Sequence, residues 1–279
     1  MLFIEILKAI FIGIVQGITE WLPVSSTGHM IIANEFVNLQ ISAGAWELFE
    51  IITQLGSILA VIILFFYKLN PFKKVGGRVQ VEKKTVSLWV KVIIAVLPAA
   101  VIGVLLDDWL ESKFYNFVVV AIMLIVYGVA FIIVEKINKD KTFKYNDVHE
   151  LDKKTSFKVG CFQVLSLIPG TSRSGSTILG ASLVGVSRTA AAEFSFFLAI
   201  PVMAGATLLK AAKAFLIDDI TLNWDEIIII AVGTLTAFLV SLAVIKFLMD
   251  FVKKHTFASF GWYRIVLGII LLSYYFIFK

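Results

Sequence analysis

Cysteine, histidine and charge are all scarce in this chain. It has one Cys and three His in 279 residues, and only 16% of its residues are charged. The lone Cys161 excludes an intramolecular disulfide, and its plainest role is a small packing residue; no Cys/His spacing suggests a zinc site. So few charges, with 59% hydrophobic residues and a mean hydropathy of +0.92, place the sequence far outside the soluble globular range. A cleavable signal peptide is also missing. The N-terminal apolar stretch opens without a basic region and contains Gln16 and Glu20.

Long apolar runs are plentiful. Crossing a bilayer as a helix takes roughly 20 of them in succession, and six runs approach this, near 48–67, 87–106, 117–135, 190–213, 226–250 and 259–278. One such run could be a buried core helix; six together predict an all-α polytopic membrane protein. Trp46, Trp109 and Trp224 suit outer interfacial anchors, and Trp89 and Trp262 inner ones.

The +5 net charge becomes informative once mapped. Lys68, Lys73, Lys74, Arg78, Lys83 and Lys84 fill a loop at about 68–86, and seven lysines from Lys136 to Lys158 fill another at about 136–158. The link at 107–116 holds Asp107, Asp108 and Glu111 with only Lys113. The positive-inside rule puts both Lys-rich loops in the cytoplasm and the acidic link outside. It accounts for the basic residues in full, so they imply no nucleic-acid partner.

Two polar stretches interrupt the apolar chain, and they resemble one another. One runs from Gln16 through Glu20, Pro23, Ser25, Ser26 and Thr27 to Gly28 and His29; the other from Gln163 through Pro169, Gly170, Ser172, Arg173 and Ser174 to Gly175 and Thr177. Setting Gln16 on Gln163 without a gap pairs Ser25 with Ser172, Thr27 with Ser174 and Gly28 with Gly175. The match continues weakly, with Glu47 and Gly56 against Glu193 and Gly205. On the charge map the stretches enter from opposite faces, and neither has room for two clean crossings. Two inverted-topology repeats follow, about 1–135 and 156–279, in a single membrane domain. Each carries a re-entrant helix–loop–helix, whose irregular backbone needs protein or a polar cavity around it.

Ionisable residues at membrane depth point to function. Gly170, Ser172, Arg173, Ser174, Gly175, Ser176 and Thr177 have the makings of a phosphate cradle. Glycines allow close backbone approach, hydroxyls donate, a helix start supplies N–H groups, and Arg173 adds a fixed charge. The Gly-Lys-Ser/Thr ending of a P-loop is absent. A small-residue packing face would explain Gly175 and Ser176 but not Arg173. In the first stretch, Glu20 beside His29 reads as an acid–base pair, with Ser25 or Ser26 as nucleophile or phosphate ligand. Gln16 lies one helical turn before Glu20, on the same face. Glu50 and Glu193 fit either a polar cavity or the membrane boundary.

With these motifs in hand, the chain resembles the undecaprenyl-diphosphatase, or bacitracin-resistance, family over nearly its whole length. Glu20-Trp-Leu-Pro-Val-Ser-Ser-Thr-Gly-His29, with Gln16 four residues earlier, is similar to that family's (E/Q)xxxE region. Pro169 to Thr177 is similar to its PGxSRSxxT signature, and further likeness lies in 54–61, 185–188 and 192–196. The resemblance implies a bacterial plasma-membrane hydrolase with an outward-facing site. It converts undecaprenyl diphosphate to undecaprenyl phosphate and inorganic phosphate, recycling the carrier lipid for peptidoglycan. It further implies catalytic roles for Glu20, His29, Ser172 and Arg173, supporting roles for Gln16, Ser26 and Thr177, and a divalent cation, Mg²⁺ or Ca²⁺. Gln at position 16, where many members carry Glu, weakens any scheme with two carboxylates on this helix holding metal. Ser26, His29 and a metal-bound water all stay open as the attacker, and the oligomeric state stays open, a homodimer included. The other common membrane lipid phosphatases need a His six residues after a Ser-Arg, and none follows Ser172-Arg173. A lipid transporter or flippase built on the same inverted repeat is the competing function.

Overall fold

The computed structural model describes residues 2–76, 78–114 and 116–278. Helix α1 (Leu2–Thr19) is followed after a break by α2 (Ser26–Val37), then by α3 (Ala43–Leu64) and the single turn α4 (Phe66–Leu69). An antiparallel hairpin, β1 (Phe72–Val75) and β2 (Arg78–Val81), leads into α5 (Lys83–Phe114) and α6 (Phe117–Ile137). The second half is α7 (Lys153–Val164), a 3₁₀ turn (Leu165–Leu167), α8 (Arg173–Leu183), α9 (Arg188–Leu216), α10 (Trp224–Lys254) and α11 (Ala258–Phe278).

Each of the six expected apolar runs forms a helix, which makes the protein an all-α polytopic membrane protein. Among the described residues seven helices are long and apolar enough to cross, the seventh being α1. At 18 residues α1 is barely sufficient, and it forms the first arm of the expected helix–break–helix. The other arms, α2, α7 and α8, have 12, 12 and 11 residues, too short to span. Large apolar side chains such as Phe11, Val104, Leu208 and Ile270 are exposed around the bundle, as lipid contact requires.

Three local expectations change. The basic segment near 68–86 holds a hairpin, turning at Gly76 with a φ of +59°. The acidic link at 107–116 is mostly helix, because α5 runs on to Phe114. The side chains of Asp107, Asp108 and Glu111, and residue Tyr115, lie outside the described set. Cys161 is exposed on α7 rather than packed.

The packing has an internal symmetry. α1 packs on α10 and α7 on α5, while α3 meets α10 and α9 meets α5. α3 also packs on α9, and α6 on α11, as self-related pairs. Close approach rests on matched glycines. A Cβ at Gly13 would lie 2.6 Å from the Gly233 carbonyl oxygen of α10, and one at Gly160 would collide with the Ala95 carbonyl of α5. The two breaks match as well. Ser25 has φ +76° and Ser172 φ +74°, and each caps the helix after it by accepting from the Gly28 or Gly175 N–H.

Breaking two helices inside an apolar bundle releases carbonyl groups that must find donors. Arg264 of α11 is fully buried and supplies them. Its Nη1 donates to Pro23 O at 3.0 Å, and its Nη2 to Gly170 O at 2.8 Å and Thr171 O at 3.0 Å. Longer bonds reach Met123 O and Leu124 O, both 3.4 Å, and the guanidinium lies 5.4 Å from the Tyr127 ring centroid. One planar fork therefore ties both breaks to α6 and α11.

At the Lys-rich end, Arg188 forms a bidentate pair with Glu135, with Nε–Oε1 at 3.0 Å and Nη2–Oε2 at 2.5 Å. Tyr145 OH donates to Asp152 Oδ2 at 2.7 Å, and the Thr155 N–H donates to Asp152 Oδ1 at 2.6 Å. These bonds, the Thr155 N–H foremost, hold the Asp152 carboxyl down at about 2.

Arg264→Met should lower stability by at least about 3 kcal/mol, since several buried carbonyls each lose a donor worth roughly 1–3 kcal/mol. Thermal unfolding in detergent should show this, and Arg264→Lys should not restore it, because one ammonium cannot fork between separate carbonyls. Asp152 should stabilise the fold fully above its unfolded value of 3.8 and lose that effect as pH falls toward 2. Asp152→Asn should therefore cost about 1 kcal/mol at pH 7, discounted for an exposed side chain, and progressively less as pH falls through about 2.

Candidate active site

The site forms where the two breaks meet. Glu20 stands just past the end of α1, one turn after Gln16, and Gln16 Nε2 donates to Glu20 Oε2 at 3.0 Å. Ser26, the first residue of α2, donates to the same oxygen at 2.7 Å. Arg173, the first residue of α8, donates from Nη2 to Glu20 Oε1 at 2.9 Å. Both side chains of this pair are buried, 12% exposed for Arg173 and 6% for Glu20, so the ion pair spans the two halves in a nearly dry setting.

Arg173 is held from behind. Its Nη1 donates to Ser195 O at 2.9 Å and Ser195 Oγ at 3.3 Å, and it lies 5.7 Å from the Trp21 ring centroid. Ser195 Oγ in turn is 2.7 Å from Thr177 Oγ1. Ser174 Oγ donates to Glu20 O and Leu22 O, at 3.4 and 3.3 Å, and lies 3.1 Å from Ser172 Oγ.

Glu20, Ser25, Ser26, Ser172, Arg173 and Ser174 line one cavity of about 200 Å³. Gly170 allows the second break to approach α6, since a Cβ there would meet Val120 O at 2.5 Å, and its φ is +87°. Pro169, Ile168, Val202, Met203 and Ala206 give the cavity an apolar wall. It thus presents a cation, several hydroxyls and a carboxylate already hydrogen-bonded to a hydroxyl. That combination can hold a phosphate and activate a serine.

Two expected members stand elsewhere. His29 does not pair with Glu20. Its Nδ1 is 2.7 Å from Ser25 O and its Nε2 is 2.7 Å from Tyr263 OH, with the two rings stacked at 5.7 Å. One turn of α2 past Ser26 turns the imidazole toward α11, off the lining of the cavity. Thr177 is fully buried, and its hydroxyl is taken up by Ser195, Arg173 O and Ser174 O, so it supports Arg173 rather than facing a ligand. Of the two further carboxylates, Glu193 is ion-paired to Lys68 at 2.6 Å, whereas Glu50 lines a smaller chamber with Gln16, Gln54 and Lys210.

The family model described as bacitracin resistance protein BacA matches residues 9–270. The chain belongs to the bacitracin resistance protein family. It is similar to a protein of Enterococcus faecalis named undecaprenyl-diphosphatase, 55% identical over 99% of each chain. A Streptococcus thermophilus protein of that name is 56% identical over 97% of this chain and 93% of its own. One from Acetivibrio thermocellus is 53% identical over 98% of both.

For this member of the family, residue patterns could not reveal Arg264, Tyr263 or Met203. Arg264 sits alone in an apolar run, and its only signal was a charge at membrane depth. Ser195 lay within a stretch resembling the family, yet nothing local tied it to Arg173. The divalent cation finds no prepared holder. Among the described residues no cluster of three His, Cys, Asp or Glu could bind a metal, and both Glu20 oxygens already accept hydrogen bonds.

Glu20→Gln and Arg173→Gln should each destabilise the protein by about 3–5 kcal/mol, because each leaves one buried charge without its partner. The double variant should cost clearly less than the sum. A double-mutant cycle on unfolding midpoints measures that coupling, and strict additivity would contradict the pairing.

Proposed function

We propose that the Glu20–Ser26–Arg173 cavity hydrolyses undecaprenyl diphosphate to undecaprenyl phosphate and inorganic phosphate. The relatives named above are enzymes of that activity, and their family is the bacitracin resistance family. The chain is such a membrane hydrolase, acting on a lipid substrate; through that activity it confers bacitracin resistance. The transporter reading gains no support from these relatives.

One observation carries the mechanism. The hydroxyl of Ser26 is bonded at 2.7 Å to a carboxylate whose other oxygen engages the phosphate-binding cation. Arg173, Ser172 and Ser174 bind the diphosphate, and the apolar wall from Ile168 to Ala206 takes the first part of the prenyl chain. Glu20 accepts the Ser26 proton as Oγ attacks the terminal phosphorus. The bond from that phosphorus to the bridging oxygen breaks, and undecaprenyl phosphate leaves with Arg173 opposing its negative charge. Glu20 passes that proton to the departing lipid phosphate, and the freed carboxylate then takes a proton from water. The oxygen of that water attacks the phosphoserine, the bond from phosphorus to Oγ breaks, Glu20 returns the proton to Oγ, and inorganic phosphate is released. Such transfer needs chiefly positioning and charge stabilisation, which this set supplies. Ser26 is favoured over His29 as the attacker because it lines the cavity and holds a base, whereas both His29 nitrogens are occupied.

The site would open outward from a bacterial plasma membrane. Gln16 lies on the side of Glu20 nearer the start of α1, where Lys8 bonds Asn38 O and Ser42 N–H bonds Glu226 at the start of α10. Lys253 and Lys254 close the other end of α10, which the positive-inside rule makes cytoplasmic.

Ser26→Ala and Arg173→Ala in detergent should each slow phosphate release from undecaprenyl diphosphate by about 10²–10³-fold or more. Wild-type enzyme quenched in acid during turnover should carry phosphate on Ser26. Near-normal rates in folded Ser26→Ala protein would remove the nucleophile assigned here.

A further inference from the structure

The chamber beside the cavity raises a question of charge. Glu20 already neutralises Arg173, so the cavity has no surplus cation, while a terminal phosphate group brings about −1.5 to −2 at pH 7. The next cation lies in the adjoining chamber of about 140 Å³, lined by Gln16, Thr27, Met30, Glu50, Ile51, Gln54 and Lys210. Thr27 and Gln54 line both spaces, so the two adjoin. Lys210 comes from α9, is exposed, and makes no hydrogen bond or ion pair among the described residues, though its charge acts on Glu50 across the chamber.

We propose that this chamber is a second phosphate subsite, with Lys210 as its cation, which takes the inorganic phosphate as it leaves the cavity. This rests on the hydrolytic reading of the cavity given above. The chamber's small volume suits a free phosphate and not a prenyl chain. Gln54 and Thr27 offer neutral donors where the chamber adjoins the cavity. Glu50 on α3 faces the same space and opposes a bound anion. A lysine and a carboxylate on facing walls make a holding point that a product leaves readily, which fits an exit better than a storage site.

The test follows conversion of radiolabelled undecaprenyl diphosphate to the monophosphate while inorganic phosphate is titrated in. Lys210→Met should weaken inhibition by phosphate about tenfold, the worth of one charge-assisted hydrogen bond, and Lys210→Arg should restore it. Glu50→Gln should change inhibition in the opposite direction, making phosphate a stronger inhibitor. Phosphate should also raise the unfolding temperature of Ser26→Ala protein, and raise it less when Lys210→Met is added. An unchanged inhibition constant in folded Lys210→Met enzyme would overturn the subsite, as would a loss confined to kcat, or Glu50→Gln weakening inhibition. Activity surviving Ser26→Ala and Arg173→Ala would instead overturn the cavity's chemistry, whatever Lys210 does.

Discussion

Carbonyl groups freed at a helix break inside an apolar bundle have no water to turn to, and the whole site depends on where they find donors. Arg264 answers for both breaks at once, bonding Pro23 O in the first and Gly170 O and Thr171 O in the second. Each such group left unmet would cost more than most single packing contacts provide. The same fork therefore fixes the distance between the breaks. Two loops that could otherwise drift are held so that Ser26 and Arg173 both reach the Glu20 carboxylate. Its charge has no carboxylate partner among the described residues; carbonyl dipoles and the Tyr127 ring surround it instead. That suits a structural role, since a counter-anion at this place would sit beside the phosphate site.

The second constraint is the buried pair of Glu20 and Arg173. A buried ion pair adds little net stability compared with apolar packing, yet losing one partner is expensive. Its worth here is positional. It locks α1 to the start of α8, and it places a base and a cation on opposite sides of one small cavity. Ser195 and Thr177 complete the fixation from behind, so Arg173 is aimed before any ligand arrives. Such pre-orientation is what electrostatic stabilisation of phosphoryl transfer requires.

Much of this was legible in the sequence because apolar length, charge asymmetry and motif repetition are local signals. They led to the six long helices, the two interrupted stretches, and the residues Glu20, Ser26, Ser172 and Arg173 that meet in one cavity. What sequence could not supply was side-chain direction after a break. His29 follows Ser26 by three residues, and on paper it could face Glu20 as readily as α11. The positive φ at Ser25 sets the azimuth of α2, which turns Ser26 to the carboxylate and His29 to Tyr263. Thr177 likewise reads as a ligand until α8 is placed and its hydroxyl is seen to serve Ser195. Arg264 escaped because its partners are backbone atoms over 90 positions away, which no motif records. The hairpin was missed because its strands are short and exposed, with no buried face to impose alternation.

The repeat also explains how one site arises from two similar halves. Aligned as above, Ser26 and Arg173 occupy the same place, the first helical residue after a positive-φ serine cap. Matched geometry thus delivers two different groups to one carboxylate, a hydroxyl from one half and a guanidinium from the other. The position matching Glu20 is Leu167, so the carboxylate exists once only. Its neighbour shows what that loss entails. Gln16 spends its amide on Glu20, whereas Gln163, fully buried, has no hydrogen-bond partner at either amide atom. The second half keeps the glutamine without the acid it would serve. Two carboxylates so close would repel each other and compete for one arginine, so a symmetric site would lose the single neutral pair on which the aim of Ser26 depends.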